Sequence, residues 1–190
     1  MPGCSSAVSH SSPPEAASPG TLRFMRNPIL LLMGVSGSGK TTIGAMLAGR
    51  LGWAYAEADD FHPPANVEKM HAGIPLNDDD RRPWLEATAA WMKDQTGPAV
   101  VTSSALKLKY RDLLRSGRPD LRLVYLEGSH ELIGRRMAAR HGHFFPKRLL
   151  DSQFADLEAP GPAEDPLVVS IDAAPEQVVQ EIIDRAGLTT

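Results

Sequence analysis

Residues 34–41 read Gly-Val-Ser-Gly-Ser-Gly-Lys-Thr and fit the pattern G-x-x-x-x-G-K-[ST] at every fixed position. The run 29–33 before them is apolar and typical of a buried strand, and the stretch 40–51 after them is typical of a helix. Glycines let the backbone turn tightly and point successive N–H groups inward, and the helix start adds partial positive charge. This stretch therefore predicts a loop that holds the phosphates of a nucleoside triphosphate.

The loop pattern also predicts roles for individual residues. Lys40 should reach the β- and γ-phosphates and stabilise the transferring group, and the Thr41 hydroxyl should ligate Mg²⁺. The residues expected to contact ATP are Gly34, Val35, Ser36, Gly37, Ser38, Gly39, Lys40, Thr41 and Thr42.

Short apolar runs alternate with longer amphipathic stretches along the rest of the chain, which predicts parallel strands joined by helical crossovers. We expect an α/β fold with three layers, in which a five-stranded parallel sheet is flanked by helices. Strands are predicted at 29–33, 53–57, 99–103, 121–126 and 167–171. Helices are predicted at 40–51, 64–72, 81–95, 107–116, 129–140, 146–157 and 175–186.

Composition excludes several classes of protein. The chain has 190 residues with 20 Lys and Arg against 23 Asp and Glu, and this balance argues against a nucleic-acid binder. Its single cysteine, Cys4, excludes a disulfide framework, and its apolar runs are too short for a membrane span. Residues 1–27 are rich in Ser and Pro and predict a disordered extension before a P-loop domain at 28–190. We expect a cytoplasmic protein that binds neither nucleic acid nor a membrane.

Carboxylates follow the second predicted strand, where an open α/β sheet binds its ligands. Asp59 is expected to accept the proton of a substrate hydroxyl, and Glu57 is expected to hold Mg²⁺ through water. The alternative is that an aspartate caps the next helix, a role that suits Asp60 better.

Basic residues surround the expected acceptor site. The run Asn-Asp-Asp-Asp-Arg-Arg at 77–82 is typical of an acidic helix start, although its arginines could also bind a carboxylate ligand. Lys107 and Arg111 lie one helical turn apart and fit surface charges and substrate binding equally well. Arg136 and Arg140 share a helix face and predict a helical lid at about 136–157 that closes on the transferring phosphate.

Longer motifs carry a resemblance to a known family. They are GVSGSGKTT at 34–42, DDFHPPANVEKM at 59–70, GIPLNDDDRRPWL at 73–85, SALKLKYRDLLR at 104–115 and RHGHFFPKRLLDSQFADLE at 140–158. With these motifs the chain resembles the gluconokinase family of small P-loop kinases, which are similar in architecture to shikimate and adenylate kinases. It departs from that family at Glu57-Ala58, where Asp-Gly is common, and at Ser103, where cysteine is frequent.

The resemblance implies ATP-dependent phosphorylation of the 6-hydroxyl of D-gluconate to 6-phospho-D-gluconate, which feeds the pentose phosphate or Entner–Doudoroff route. It also implies a mobile lid, Mg²⁺ and a homodimer. Asp59 would take the reacting hydroxyl, and the candidates for the rest of the substrate are His62, Lys69, Arg81, Lys107 and Arg111.

Two alternatives remain open. A kinase for shikimate or a nucleoside monophosphate is the nearer one, although shikimate kinases carry Asp-x-Asp and Gly-Gly-Gly where this chain has Glu57-Ala58-Asp59 and Ser103-Ser104-Ala105. A nucleotide-dependent switch without a small-molecule acceptor is the other. The acceptor-side set of Asp59, Lys107 and Arg140 disfavours it, because a switch needs no such cations.

Overall fold

A computed structural model describes residues 27–118, 120–139 and 147–189. The predicted extension before Asn27, and residues 140–146 of the predicted lid with Arg140, lie outside the described residues.

The core of the protein is a five-stranded parallel sheet in the order β2-β3-β1-β4-β5. Leu31 in the central strand lies opposite Val101 on one neighbour and Leu123 on the other. All five residues of the first and of the third strand are buried, so helices cover both faces of the sheet. The strands are β1 (Ile29–Met33), β2 (Ala54–Glu57), β3 (Ala99–Ser103), β4 (Arg122–Glu127) and β5 (Leu167–Ser170).

Seven α-helices are found in the described part of the chain, and they confirm the predicted three-layer α/β fold. They are α1 (Lys40–Leu51), α2 (Pro64–His71), α3 (Asp78–Asp94), α4 (Leu108–Ser116), α5 (His130–Ala138), α6 (Lys147–Asp156) and α7 (Pro175–Ala186). Helix α1 packs against α7, and α3 packs against α4. No helix within the described ranges is both long and apolar enough to cross a membrane.

The starts of α1, α2 and α7 agree with the prediction, those of α4, α5 and α6 lie one residue later, and that of α3 lies three residues earlier. Helix α3 begins three residues early because Asn77 and Asp80 form a reciprocal capping box, in which the Asp80 N–H donates to Asn77 Oδ1 at 2.8 Å. Helix α2 begins at Pro64 after Pro63, without a side-chain cap. The proposed cap role of Asp60 is therefore wrong, since proline at the first helical position needs no partner for its missing N–H.

Candidate active site

The phosphate loop connects β1 to α1 at the carboxyl edge of the sheet. Gly37 and Gly39 have φ angles of 82° and 92°, the left-handed region that L side chains rarely adopt. A Cβ atom at Gly37 would also lie 2.8 Å from Cγ of Met137 on α5. The backbone conformation thus favours glycine at this position, and a larger residue would also have to displace the Met137 side chain.

Lys40 lies inside this loop. Its Nζ donates to the backbone oxygens of Gly34 at 2.9 Å and Val35 at 3.0 Å. Burial lowers the pKa of Lys40 to about 8, and the negative charges of Asp59 and Glu57 oppose that shift. The ammonium group therefore lies among the loop carbonyls, within the electrostatic reach of both predicted acceptor-side carboxylates.

This lowered pKa predicts that nucleotide binding takes up a proton in mildly alkaline solution. Phosphates beside Lys40 favour its charged form, so binding raises its pKa and the free lysine, partly neutral above about pH 8, becomes protonated. Calorimetry at about pH 8.5 in two buffers of different ionisation enthalpy should give different apparent binding heats. The difference should vanish near pH 6.5, where Lys40 is protonated with and without nucleotide. Equal heats in both buffers at the higher pH would contradict the prediction.

The first turn of α1 faces the end of β2. The Thr41 hydroxyl donates to Glu57 Oε2 at 3.0 Å, and the Tyr55 hydroxyl donates to Glu57 Oε1 at 3.2 Å. The structure therefore brings together the two residues predicted to hold a metal, and both offer the oxygen ligands that Mg²⁺ prefers.

Asp59 follows on a short 3-10 turn formed by residues 58–61. Its side chain is exposed, and no hydrogen bond or ion pair joins its carboxylate to another described residue. Trp84 on α3 holds this turn in place, because its buried indole N–H donates to the Ala58 carbonyl at 2.6 Å. A carboxylate that is free for a ligand is thus held on a rigid support.

His62 lies beside this turn and packs flat on Trp84, with ring centroids 4.5 Å apart. Asn66 Nδ2 lies 3.4 Å from His62 Nδ1. Burial lowers the pKa of His62, Asp59 opposes that shift, and the Arg81 charge adds to it. The charges of Asp59 and Arg81 therefore both reach His62, and its lowered pKa favours the neutral imidazole.

Lys69 and Arg81 are held by neighbours on α2 and α3. Lys69 Nζ lies 2.6 Å from Asp80 Oδ1, and Arg81 Nε donates to the Leu76 carbonyl at 3.3 Å. The Arg81 guanidinium also lies over the Tyr110 ring at 5.6 Å, which connects α3 to α4. Both cations are thus held in place by these contacts and keep further N–H donors.

The two cations that follow β3 have different environments. Lys107 is partly exposed and pairs with Asp156 at 3.2 Å. Arg111 is only 1% exposed, donates twice to Glu164 at 2.6 Å and 2.9 Å, and donates to two backbone carbonyls. The structure therefore does not bring Arg111 to the substrate, because its donors are used by buried partners. We assign Arg111 a structural role.

Replacing Arg111 with methionine should lower the free energy of unfolding by about 3–5 kcal/mol, because Glu164 would keep a buried charge without a partner. Arg185→Met, which breaks the exposed pair with Glu181, should cost less than about 1 kcal/mol. Urea unfolding measures both variants. The double variant Arg111→Met with Glu164→Met should recover most of the loss, and a loss equal to that of Arg185→Met would contradict the buried-pair assignment.

Arg136 lies on the other side of the phosphate loop. Its Nη2 donates to the Ile171 carbonyl at 2.5 Å and the Ala173 carbonyl at 3.4 Å. There it lines a cavity of about 410 Å³ behind the loop, together with Gly37, Met137, Ile171, Pro175 and Val178. This cavity is mostly apolar and large enough for a nucleotide base.

Sequence reasoning missed several residues that shape the site. Trp84, Asn66 and Tyr110 all lie inside the quoted motifs, but their roles depend on partners far along the chain. Gln153 on α6 was missed too, although it contacts the phosphate loop at Ser36. Only the motif SQFADLE around Gln153 could have drawn attention to it.

Comparison with known proteins gives consistent matches. A model of the shikimate kinase family matches residues 36–186. Thermoresistant gluconokinase of Escherichia coli (strain K12) is 48% identical over 160 residues, which cover 82% of this chain and 91% of that protein. Gluconokinase of Gluconobacter oxydans (strain 621H) is 46% identical over 157 residues, which cover 81% of this chain and 88% of that protein.

Solved structures of related proteins also match this chain. A gluconokinase from Sinorhizobium meliloti 1021 superposes with a TM-score of 0.79 at 40% identity and covers 85% of this chain and 92% of its own. An APS kinase from Mycobacterium tuberculosis, 21% identical, has the same fold with a TM-score of 0.61, covering 84% of this chain and 97% of its own. With its phosphate loop, its carboxylate-bearing turn and these relatives, the chain belongs to the gluconokinase family and carries a domain of the shikimate kinase type.

Proposed function

We propose that this protein transfers the γ-phosphoryl group of ATP to the 6-hydroxyl of D-gluconate, giving 6-phospho-D-gluconate and ADP. Membership of the gluconokinase family supports the acceptor. The observation that carries the chemistry is that the loop with Lys40 and the turn with Asp59 leave the same edge of the parallel sheet, where the Asp59 carboxylate has no hydrogen bond or ion pair among the described residues.

On the donor side, the N–H groups of the phosphate loop and the Lys40 ammonium hold the β- and γ-phosphates. Their charge is already in place before the reaction, so it stabilises the negative charge that shifts as the bridging P–O bond breaks. Thr41 and Glu57 would hold Mg²⁺, directly or through water, and the ion when bound neutralises charge on the β- and γ-phosphates.

On the acceptor side, Asp59 accepts the proton of the 6-hydroxyl as that oxygen forms its bond to the γ-phosphorus. The bond between the γ-phosphorus and the β–γ bridging oxygen breaks, and ADP leaves with the bonding electron pair. The proton then passes from Asp59 to solvent. Because Asp59 is exposed, this last transfer needs no further side chain.

Gluconate has a carboxylate at one end and hydroxyl groups along its length. The cations Lys69, Arg81 and Lys107 suit the carboxylate, and neutral His62 suits a hydroxyl as donor or acceptor. The base of ATP fits the apolar cavity behind the phosphate loop, where Arg136 lies along one wall.

A panel of acceptors tests the proposal. ATP consumption should be fast with D-gluconate and at background with shikimate and with AMP, and ³¹P NMR should identify the product as the 6-phosphate ester. Faster turnover with shikimate would make the protein a shikimate kinase, and equal background with every acceptor would favour a nucleotide-dependent switch.

Three further features belong to this proposal. The reaction consumes ATP, which favours a cytoplasmic location and a place in the pentose phosphate or Entner–Doudoroff route. The likeness to gluconokinases leads us to propose a homodimer, and sedimentation at micromolar concentration would report its mass. A monomer at every concentration would exclude that assembly.

We also expect that activity does not need the segment before Asn27. Arg118 Nη2 donates to the Asn27 carbonyl at 2.7 Å, so a shortened chain should begin at Asn27 rather than after it. Such a variant should keep kcat/KM for gluconate within about twofold. A loss of activity or of cooperative unfolding would show that the segment contributes to the fold.

A further inference from the structure

Gln153 on helix α6 contacts the phosphate loop at Ser36. The Ser36 N–H donates to Gln153 Oε1 at 2.5 Å, and Gln153 Nε2 donates to Ser36 Oγ at 2.9 Å. Two bonds from one planar amide to one residue fix both the distance and the orientation of the side chain. The position of α6 is therefore tied to the conformation of the loop.

The same helix contacts the predicted acceptor side at its C-terminal end. Asp156, three residues after Gln153 and thus on the same helix face, pairs with Lys107 at 3.2 Å. Just beyond the helix, the Glu158 N–H donates to the Leu106 carbonyl at 2.9 Å, and the Leu108 N–H donates to Glu158 Oε2 at 2.6 Å. The six residues 153–158 thus connect the phosphate loop with the segment 106–108.

Ser36 lies at the end of the loop that is expected to hold the terminal phosphates. The Lys40 ammonium donates to the carbonyls of Gly34 and Val35, the two residues before Ser36. Lysine at this position of the loop reaches toward the terminal phosphates. The Ser36 N–H is thus a donor at the same end of the phosphate site. A phosphate oxygen would accept from this N–H, and in its place the structure has the amide oxygen of Gln153.

We propose that Gln153 is a positioning residue that couples the two substrate sites. The terminal phosphate of ATP displaces the Gln153 amide oxygen from the Ser36 N–H, and the released helix changes the position of segment 106–108 through Asp156 and Glu158. If gluconate favours this second position of the segment, it tightens ATP binding, and by linkage ATP tightens gluconate binding by the same factor. This inference rests on the proposed function, because it takes gluconate as the acceptor.

The first test measures coupling between the two ligands. Calorimetry gives the Kd of a non-hydrolysable ATP analogue without and with saturating gluconate. We expect gluconate to tighten binding in the wild type by about fivefold or more, and we expect Gln153→Leu to reduce this factor to near one. Gln180→Leu is the matched control, since Gln180 also bonds a side chain, Arg50, but lies on α7 outside the site.

The second test places a charge at the contact. In Gln153→Glu, a carboxylate beside Ser36 should repel the terminal phosphate, so the Kd of the ATP analogue should rise by about tenfold and that of ADP much less. Gln180→Glu should change neither. Equal weakening of ADP and of the analogue would place Gln153 away from the terminal phosphate and overturn the proposal.

The outcomes separate the proposal from the assigned activity. If the wild type does not bind gluconate, the proposed function fails. If it binds both ligands without coupling, or if Gln153→Leu keeps the full coupling, only the role of Gln153 fails. The comparison of ADP with the analogue needs no gluconate, so it still tests whether Gln153 lies at the terminal phosphate if Gln153→Leu folds poorly.

Discussion

Replacing Lys40 with methionine is expected to lower kcat/KM for gluconate phosphorylation by about 10²- to 10³-fold. The ammonium donates to the Gly34 and Val35 carbonyls inside the phosphate loop. Because it is partly removed from water there, its charge acts strongly on a phosphate. Removing one such preorganised group typically costs about 3–4 kcal/mol of transition-state stabilisation. Methionine keeps the aliphatic stem, so the loop should keep its shape.

Steady-state kinetics with gluconate varied at saturating ATP measure this loss. Lys93→Met is the control, because Lys93 is an exposed lysine near the end of α3, away from the phosphate loop. The control should keep activity within about twofold, and its melting temperature should match that of Lys40→Met. An activity of Lys40→Met within threefold of the wild type would exclude a phosphate-binding role for this lysine.

The part of the fold that could be predicted from sequence rests on local signals. The phosphate loop is specified within eight consecutive residues, and the alternation of apolar strands with amphipathic helices requires no knowledge of distant contacts. The boundaries were less accurate where a side chain decides them. Helix α3 begins at Asp78 because Asn77 caps it, a signal present in the sequence but weighed too lightly.

The part that could not be predicted depends on partners far apart in the chain. Arg111 pairs with Glu164, which lies 53 residues later, and nothing near Arg111 distinguishes a buried ion pair from a substrate contact. Gln153 meets Ser36 across 117 residues. Short-range spacing identifies which residues share a helix face, but only the packed structure shows what that face touches.

The placement of these long-range contacts has a functional consequence. All five strands are parallel, so their carboxyl ends lie at one edge, and the phosphate loop and the turn that carries Asp59 both leave from there. Trp84 supports that turn from α3 through its bond to the Ala58 carbonyl. Lys40 follows the fully buried β1, and the turn with Asp59 is held by the buried Trp84, which favours a fixed geometry for the proposed transfer step.

The second large effect is expected for Asp59→Asn. An amide is nearly the same size as the carboxylate but cannot accept the proton of the 6-hydroxyl, so kcat should fall by about 10²- to 10⁴-fold. The KM for gluconate should change much less, because the residue would still offer an oxygen to the substrate hydroxyl. Asp60→Asn is the matched control, because Asp60 lies next to Asp59 on the same turn and is also exposed.

The same variant makes an independent electrostatic prediction. Asp59 is the largest of the charges that raise the pKa of Lys40 against the effect of burial, so its neutralisation should move that pKa further below about 8. The pH above which nucleotide binding takes up a proton should therefore fall in Asp59→Asn and change less in Asp60→Asn. An increase in KM with kcat unchanged would make Asp59 a binding residue. A fall in kcat with no change in proton uptake would show that the charge of Asp59 does not reach Lys40. That result would contradict the proposed reaction, which needs both side chains in one cleft.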